Sequence, residues 1–538
     1  GFSTDYRVFF SKDNPQLLAF ETLQNTYTKN DNVMFAVEPK DGKVFTRETL
    51  AAIEDITQAS WKIPYSIRVD SVTNFQYTWA DGDDLVVQDL VENAQGFTDA
   101  QLKKVQAVAL AEPLLLNRLI TRKSNITGIN VTINRPQKTI TETPEVTAFA
   151  REMEDKFQKK YPDINIYLTG VVFMDNAFNE AGEGDMKSLI PVMYGIVLII
   201  MALSLRTFWG TLTTILIMAF SILTGMGLAG WSGILLTPIS ANAPTIILTL
   251  AVADSIHILV TLFYEMRHGK SKYEAIQESL RVNHQPVFIT SITTAIGFLS
   301  LNFSDSPPFR DLGNIVAVGV MAAYFYSVYF LPAMMAVLPL RVKTVTSSQG
   351  GWIDALGDWV IHNKNLLFWG MIIIIAFLSV QIPRNTIDEK FNEYFDTRYQ
   401  FRLDNDYVEE HLTGFESIEY SLGAGESGGI SNPQYLKKLE EFATWYRKQP
   451  GVMYVGTLTD TMKRLNKNMH GDDESYYRLP EERDLSAQYL LLYELSLPFG
   501  LDLNNQINID KSSTRFTAIL ESVSTDHALN LEKRAQKW

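Results

Sequence analysis

Between Leu189 and Tyr264 the chain runs for 76 residues with only two charged side chains, Arg206 and Asp254. Water-soluble domains are not built this way. A bilayer core about 30 Å thick is what demands successive apolar segments of roughly 20 residues each. Six such segments are predicted as transmembrane helices: 189–205, 211–231, 243–264, 286–303, 315–338 and 365–382. The 205–211 connection leaves room only for a tight hairpin. Between the third and fourth spans, Lys270–His284 is polar but carries Tyr273, Ile276 and Leu280 on one helical face. That pattern predicts a helix lying along the membrane surface, with a solvated linker helix as the alternative.

The rest of the chain is different in kind. Residues 1–187 are predicted as a mixed α+β domain with strands at Asn32–Glu38 and Ser66–Ser71 and a helix over Thr46–Ser60, where Leu50, Ile53 and Ile56 share a face. A second β-α-β set follows: 128–133, the helix Pro144–Tyr161, and 164–168. Two such units predict a split β-α-β, ferredoxin-like sandwich, with the acidic segment 75–125 as a helical insertion. Arg206, Arg267, Lys270, Lys272, Arg281, Arg341, Lys343 and Lys364 lie on one side of the spans, against Arg310 and the flanking Lys187 and Arg384 on the other. The positive-inside bias puts the first side in the cytoplasm and both large polar domains on the periplasmic or extracellular side of an inner (plasma) membrane. The net charge of −14, from 47 Lys and Arg against 61 Asp and Glu, excludes nucleic acid as a partner. The absence of Cys removes disulfide scaffolds and thiolate metal sites.

From Arg384 onward the chain repeats its beginning. Phe35–Glu38 (FAVE) matches Tyr420–Gly423 (YSLG), Leu50–Glu54 (LAAIE) matches Leu436–Glu440 (LKKLE), and Ser71–Asn74 (SVTN) matches Thr457–Asp460 (TLTD), at an offset of 385 or 386 residues throughout. The expected fold class is therefore a polytopic α-helical membrane bundle with α+β ferredoxin-like extracytoplasmic domains and an internal repeat. Its expected parts are a first extracytoplasmic domain (1–187), a five-helix transmembrane bundle (188–343), a cytoplasmic linker (344–364), a sixth span opening the second repeat (365–383), and a second extracytoplasmic domain (384–538). The repeat also leads one to expect a further span ahead of Gly1, and the rest of the second domain with five more spans beyond Trp538, in a twelve-span molecule.

Asp254 is the first candidate for chemistry. It sits mid-span in LTLAVADSIHILVTL, where an ionised carboxylate costs several kcal/mol or draws water in. A carboxyl so placed is suited to take up and release a proton as its access changes, which a proton relay requires. The alternative is a neutral Asp bonded to a neighbouring helix. His257, three residues on, is expected to share its face and pass the proton, or else to be a packing histidine. Ser255 completes the relay candidates, although its hydroxyl has the backbone carbonyl one turn earlier as a competing partner. Thr290, Ser291, Thr293 and Thr294 make 286–303 the most hydroxylated span, so Thr290, Ser291 and Thr294 are candidates for a polar path beside Asp254, or for plain helix-to-helix bonding. Gly425–Gly429 fits G-x-S-x-G, but the matching stretch Pro39–Lys43 is a turn without serine, so no hydrolase is expected. The seven His show no metal-ligand spacing, and no cofactor is expected.

Three motifs carry a family likeness: YLTGVVFMDNAF (167–178), AVADSIHIL (251–259) and FSDSPPFRDLG (303–313). With the order of outer domain, five spans, then a sixth leading to a second outer domain, the chain resembles the resistance-nodulation-division (RND) superfamily, and within it the MMPL and Patched-like exporters. That family commonly sets an Asp-Tyr or Asp-Asp pair after a glycine-rich stretch in this span and uses it for proton-driven export. The resemblance implies that Asp254 is the coupling acid. Ser255 stands in the second place of the pair, and Ala251 and Ala253 replace glycines. The expected function is a non-enzymatic, proton-driven exporter of hydrophobic or amphiphilic compounds, lipids included, with protons, membrane lipids and a homo-oligomer as its partners. A protein-export accessory of the same superfamily, or a sterol- or lipid-sensing protein without transport, are the alternatives.

Overall fold

The structure is a computed structural model that describes residues 3, 5–29, 31–82, 84–340, 342, 352–385, 388 and 390–538. The chain divides into two units. One holds Pro15–Ala177 with Asp388–Trp538, the other Gly1–Asn14 with Phe178–Ile387.

The first half of the sheet-bearing unit opens with α1 (Pro15–Thr26), β1 (Asn32–Pro39), α2 (Arg47–Ser60) and β2 (Ser66–Asp70). Thr46 caps α2 by accepting a hydrogen bond from the Thr49 amide, and Leu50, Ile53 and Ile56 are fully buried on the face their spacing predicts. A hairpin of β3 (Gln76–Asp81) and β4 (Asp84–Asp89) follows, then α3 (Asp99–Ala111), which opens with a Thr98/Gln101 capping box. The segment 75–125 thus contains a helix, as expected of an insertion there, but opens with a hairpin that was not expected. QYTWAD and DLVVQD alternate with a period of two and flank a turn at Gly82, where φ is +64°, which is hairpin chemistry. Then come β5 (Thr127–Ile133), α4 (Glu142–Lys160), β6 (Ile164–Thr169) and α5 (Val171–Lys187). The four-stranded sheet has the order β2-β5-β1-β6 with every neighbouring pair antiparallel. Phe35 of β1 lies between Ile129 and Leu168, all three buried.

The second unit is helical: α6 (Leu189–Leu205), α7 (Phe208–Trp231), α8 (Ala243–Arg267), α9 (Lys272–Leu299), α10 (Pro307–Phe325), α11 (Leu331–Val337), α12 (Trp352–His362) and α13 (Lys364–Ser379). Among the described residues six helical stretches are long and apolar enough to cross a membrane. Arg206, at φ +51°, makes the α6–α7 turn. Small residues bring the central helices together: a Cβ on Gly225 would lie 3.3 Å from the Gly319 Cα, and Ile247 packs over both. The segment 270–284 does not form the separate surface helix expected. It is continuous with the fourth span as the first half of α9, which starts with a Ser271/Glu274 capping box and runs through Pro286. Two of its polar residues bond to α8: Ser279 Oγ donates to the Ile258 carbonyl (2.6 Å) and Asn283 Nδ2 to Thr261 Oγ1 (2.8 Å), while Glu274, Gln277 and Arg281 are exposed. Of the expected linker 344–364, residues 344–351 lie outside the described residues.

The second half of the sheet-bearing unit holds α14 (Gln400–His411), β7 (Glu416–Gly423), α15 (Pro433–Arg447), β8 (Val452–Gly456), α16 (Leu458–Asn468), α17 (Arg483–Ser496), β9 (Ser513–Leu520) and α18 (Thr525–Lys537). Its antiparallel sheet has the order β7-β9-β8, the order in which β1, β5 and β2 lie in the first half. Leu436, Leu439, Phe442 and Tyr446 of α15 and Leu531 of α18 bury against Phe516 and Ala518 of β9. The halves interlock through polar contacts: Arg464 Nη1 donates to Glu112 Oε2 (2.8 Å), Thr78 Oγ1 to Asn468 Oδ1 (2.6 Å), and the Leu168 amide to Asp404 Oδ2 (3.2 Å).

Near that last contact, Glu154 of α4 is half-buried, and burial with the nearby Asp404 and Asp155 carboxylates pushes it from 4.5 to about 7. The folded unit therefore holds this proton more tightly than the unfolded chain does. The contribution of this group to stability is greatest at low pH and falls as pH rises from about 4.5 to 7, because the unfolded state then sheds the proton first. Thermal unfolding across pH 4.5–8 should show this decline, and Glu154→Gln should flatten it. An unchanged slope in the variant would assign the titration elsewhere.

Candidate functional site

Asp254 lies near the midpoint of α8, on the face that packs inward with Ile247, Ala251, Ile258 and Leu262, and is 4% exposed. Its carboxylate accepts one hydrogen bond, from Ser291 Oγ on α9 to Oδ2 (3.1 Å). Ser291 belongs to a stripe of buried small and polar residues at four-residue steps, Ala275, Ser279, Asn283, Val287, Ser291 and Ala295, which a helix lays along one ridge. Among the described residues no Lys or Arg pairs with Asp254. One hydroxyl donor does not offset the desolvation of a carboxylate in a low-dielectric bundle, so the ionised form needs water or a cation brought to it. Such a group can serve as a proton carrier if access to it alternates.

Ser255 takes the local option: its hydroxyl donates to the Ala251 carbonyl (2.8 Å) and lies 3.3 Å from Ser327 Oγ. Ser327 sits in a π-helical turn, Tyr326–Phe330, that joins α10 to α11. Turns of this kind re-aim side chains at functional sites. His257 is exposed, and its imidazole has no hydrogen-bond partner among the described residues. It is not brought to Asp254. Thr290 is exposed and donates back to the Pro286 carbonyl (2.9 Å), Thr293 likewise to Ile289 (2.7 Å), and Thr294 is half-buried. Of the hydroxylated stretch only Ser291 reaches the carboxylate.

Three polar groups that sequence reasoning passed over extend the arrangement: Ser327, the Asn283–Thr261 pair, and His284 on α9, whose Nε2 lies 3.2 Å from the Tyr324 hydroxyl of α10. The four-residue stripe was the signal for Asn283 and Ser291. Ser327 gave none, because its position depends on the π turn.

The model of the MMPL family matches residues 21–361. The sulfolipid-1 exporter MmpL8 of Mycobacterium tuberculosis is 21% identical over 257 residues, covering 45% of this chain and 22% of the relative. The probable transport protein MmpL12 of the same organism is 22% identical over 316 residues, 55% of this chain and 26% of its own length. A putative membrane protein of Methanocaldococcus jannaschii, MJ1562, is 24% identical over 176 residues, 33% of this chain and 45% of that protein. The chain thus spans about a quarter of the length of the mycobacterial relatives it matches.

Proposed function

We propose, from the premise that the chain belongs to the MMPL family, that it works as a proton-driven exporter of hydrophobic or amphiphilic compounds, lipids among them, out of the inner membrane. The observation that carries the reading is the buried carboxyl of Asp254 in the middle of a span, held by a single hydroxyl and without a Lys or Arg partner among the described residues. Moving one charge through the membrane potential supplies about 2.3 kcal/mol per 100 mV, to which a pH gradient adds. Protonation of Asp254 would alter the α8–α9 contact and shift the bundle between two packings. The transport names of MmpL8 and MmpL12, the first called a sulfolipid-1 exporter, support an amphiphilic cargo.

In this proposal the sheet-bearing unit is two ferredoxin-like repeats on the periplasmic side. Supporting this are the shared strand orders and the spacing of equivalent elements, with β1 and β7 384 residues apart at their first residues and α2 and α15 386 apart. The eight cations flanking one side of the spans support the orientation.

The experiment compares lipid extracts of cells with and without the gene. Loss of the gene should trap an amphiphile in the inner membrane that the parent strain places outside, and a protonophore should reproduce the accumulation within minutes. Unchanged lipid extracts together with slowed release of secreted proteins would replace this reading with the protein-export one.

A further inference from the structure

The fifth span is one helical stretch from Pro307 to Val337 that carries its π-helical turn inside it. The Leu331 amide closes onto the Tyr326 carbonyl, five residues back. Pro332 supplies the local cause. It has no N–H, and in an unbroken α-helix its ring collides with the Val328 carbonyl four residues earlier. The wider turn accommodates it. Leu331 and Pro332 are both buried, so the irregular backbone faces protein, as it must at membrane depth.

One flank of the turn is fixed to α7. Phe220 lies against both Tyr326 and Phe330, with ring centres 5.9 and 5.7 Å apart. Thr224 Oγ1 donates its one proton to the Phe220 carbonyl (2.8 Å), so in its 3.0 Å contact with Tyr326 the phenol is the donor. The other flank reaches α8. Ser255 has likewise given its proton to the Ala251 carbonyl, so Ser327 donates across the 3.3 Å between the two fully buried hydroxyls. A strong hydroxyl pair sits about 2.7–2.8 Å apart, so this bond is a weak one.

Its place matters because Ser255 follows Asp254 directly. Adjacent residues project about 100° apart on a helix. α9 therefore grips α8 on one face, through Ser291 and the carboxyl, and the π turn grips it on the neighbouring face, through Ser327 and Ser255. A helix held on two faces does not roll about its axis. Held by Ser291 alone, α8 can turn the carboxyl away from its only donor.

The remaining neighbours of α8 are α6 and α7. Among the described residues none of the packed elements brings a charged side chain to Asp254; the charged ones stand at the beginnings of α9 and α10. Of the other titratable groups, Tyr326 is bound to Thr224, Tyr324 to His284, and Tyr194 of α6 packs against the apolar cluster that contains Ala251.

We propose that Ser327 is a positioning residue for the coupling carboxyl: carried by the π turn, it fixes the roll of α8 at which Asp254 meets Ser291, and its weak bond to Ser255 is the contact that yields when α8 turns between the two packings of the bundle. The inference rests on the exporter reading and adds the element that sets the geometry of its acid.

The test reads the carboxyl itself, in purified protein in detergent without gradient or cargo. The infrared band of protonated carboxyls, taken as the difference from Asp254→Asn, is followed against pH. Ser327→Ala should move the pH at which half of the band remains by at least about half a unit, because it frees a constraint on the one hydrogen bond of a buried acid. The unfolding temperature should stay that of the parent. Ser255→Ala removes the same contact from the α8 side and should give the same shift, and the double variant should shift no further, since both hydroxyls serve one bond. Ser327→Cys keeps the size and a weak donor, and should fall between Ser327→Ala and the parent. A midpoint that stays put in Ser327→Ala and Ser255→Ala, or two shifts that add in the double variant, makes Ser327 a packing residue and overturns the proposal while leaving the exporter reading intact. A parent band that never titrates overturns the exporter reading, and this inference with it.

Discussion

Vesicles carrying Asp254→Asn should transport no faster than empty vesicles under an acid-outside gradient, while the protein still folds. The amide matches the carboxylate in shape, and its oxygen can still accept from Ser291 at the position the carboxylate oxygen holds, so the 4% exposed site keeps its packing. What it loses is the ability to exchange a proton. Ser291→Ala should be milder. It deletes one hydrogen bond, worth about 1 kcal/mol, and should shift the pH at which transport is half-maximal without abolishing it. The decisive measurement is proton uptake by a trapped pH dye alongside lipid movement. Gradient-driven lipid movement that survives in Asp254→Asn would remove the carboxyl from the mechanism, and a sensor without transport would show no gradient dependence in either protein.

The membrane spans were legible because the exclusion of charge over 20 residues has no other physical explanation, and Thr46–Ser60 because a cap and a 3.6-residue apolar period agree there. The beginning of α9 was not. A polar stretch before a proline reads locally as the end of one element and the start of another, yet Ser279 and Asn283 find their partners on α8, a contact no local pattern contains. The hairpin Gln76–Asp89 was hidden by the acidity of the segment 75–125, while the alternation of Tyr77, Trp79, Leu85 and Val87 was the stronger evidence. At the candidate site, Asp254 stood out by its cost, and Ser291 by membership of a hydroxylated span. His257 shows the limit of spacing arguments. Three residues put two side chains about 60° apart on a helix, which is enough for one to be buried and the other exposed.

Replacing Arg135 by Met should unfold the sheet-bearing unit or lower its stability by about 3–5 kcal/mol, the usual cost of stripping one partner from a buried ion pair. Arg135 is 6% exposed and its Nη2 donates to both Asp31 Oδ2 (2.9 Å) and Asp175 Oδ2 (2.8 Å), while Nη1 donates to Thr143 Oγ1 (2.6 Å). Asp31 and Asp175 are themselves 2% and 1% exposed. One cation thus reaches two buried carboxylates, and its removal strips that contact from both at once. A domain with about 5–15 kcal/mol in hand loses much of its margin. The contrast that isolates the cause is Asp31→Asn with Asp175→Asn in the Arg135→Met background. Neutral amides no longer repel, so the triple variant should be more stable than the single one even though it carries more substitutions. Urea unfolding followed by tryptophan fluorescence measures both. The effect should reach beyond the sheet, because Asp175 lies in α5, the helix that carries the chain out of β6 and, after Ser188, into the first span. Asp31 precedes β1 at the centre of the same sheet, so the ion triad ties the start of that helix to the strand around which the half is built. A single Arg135→Met variant as stable as the parent would mean that the guanidinium is a packing group instead of the counter-charge of the two carboxylates.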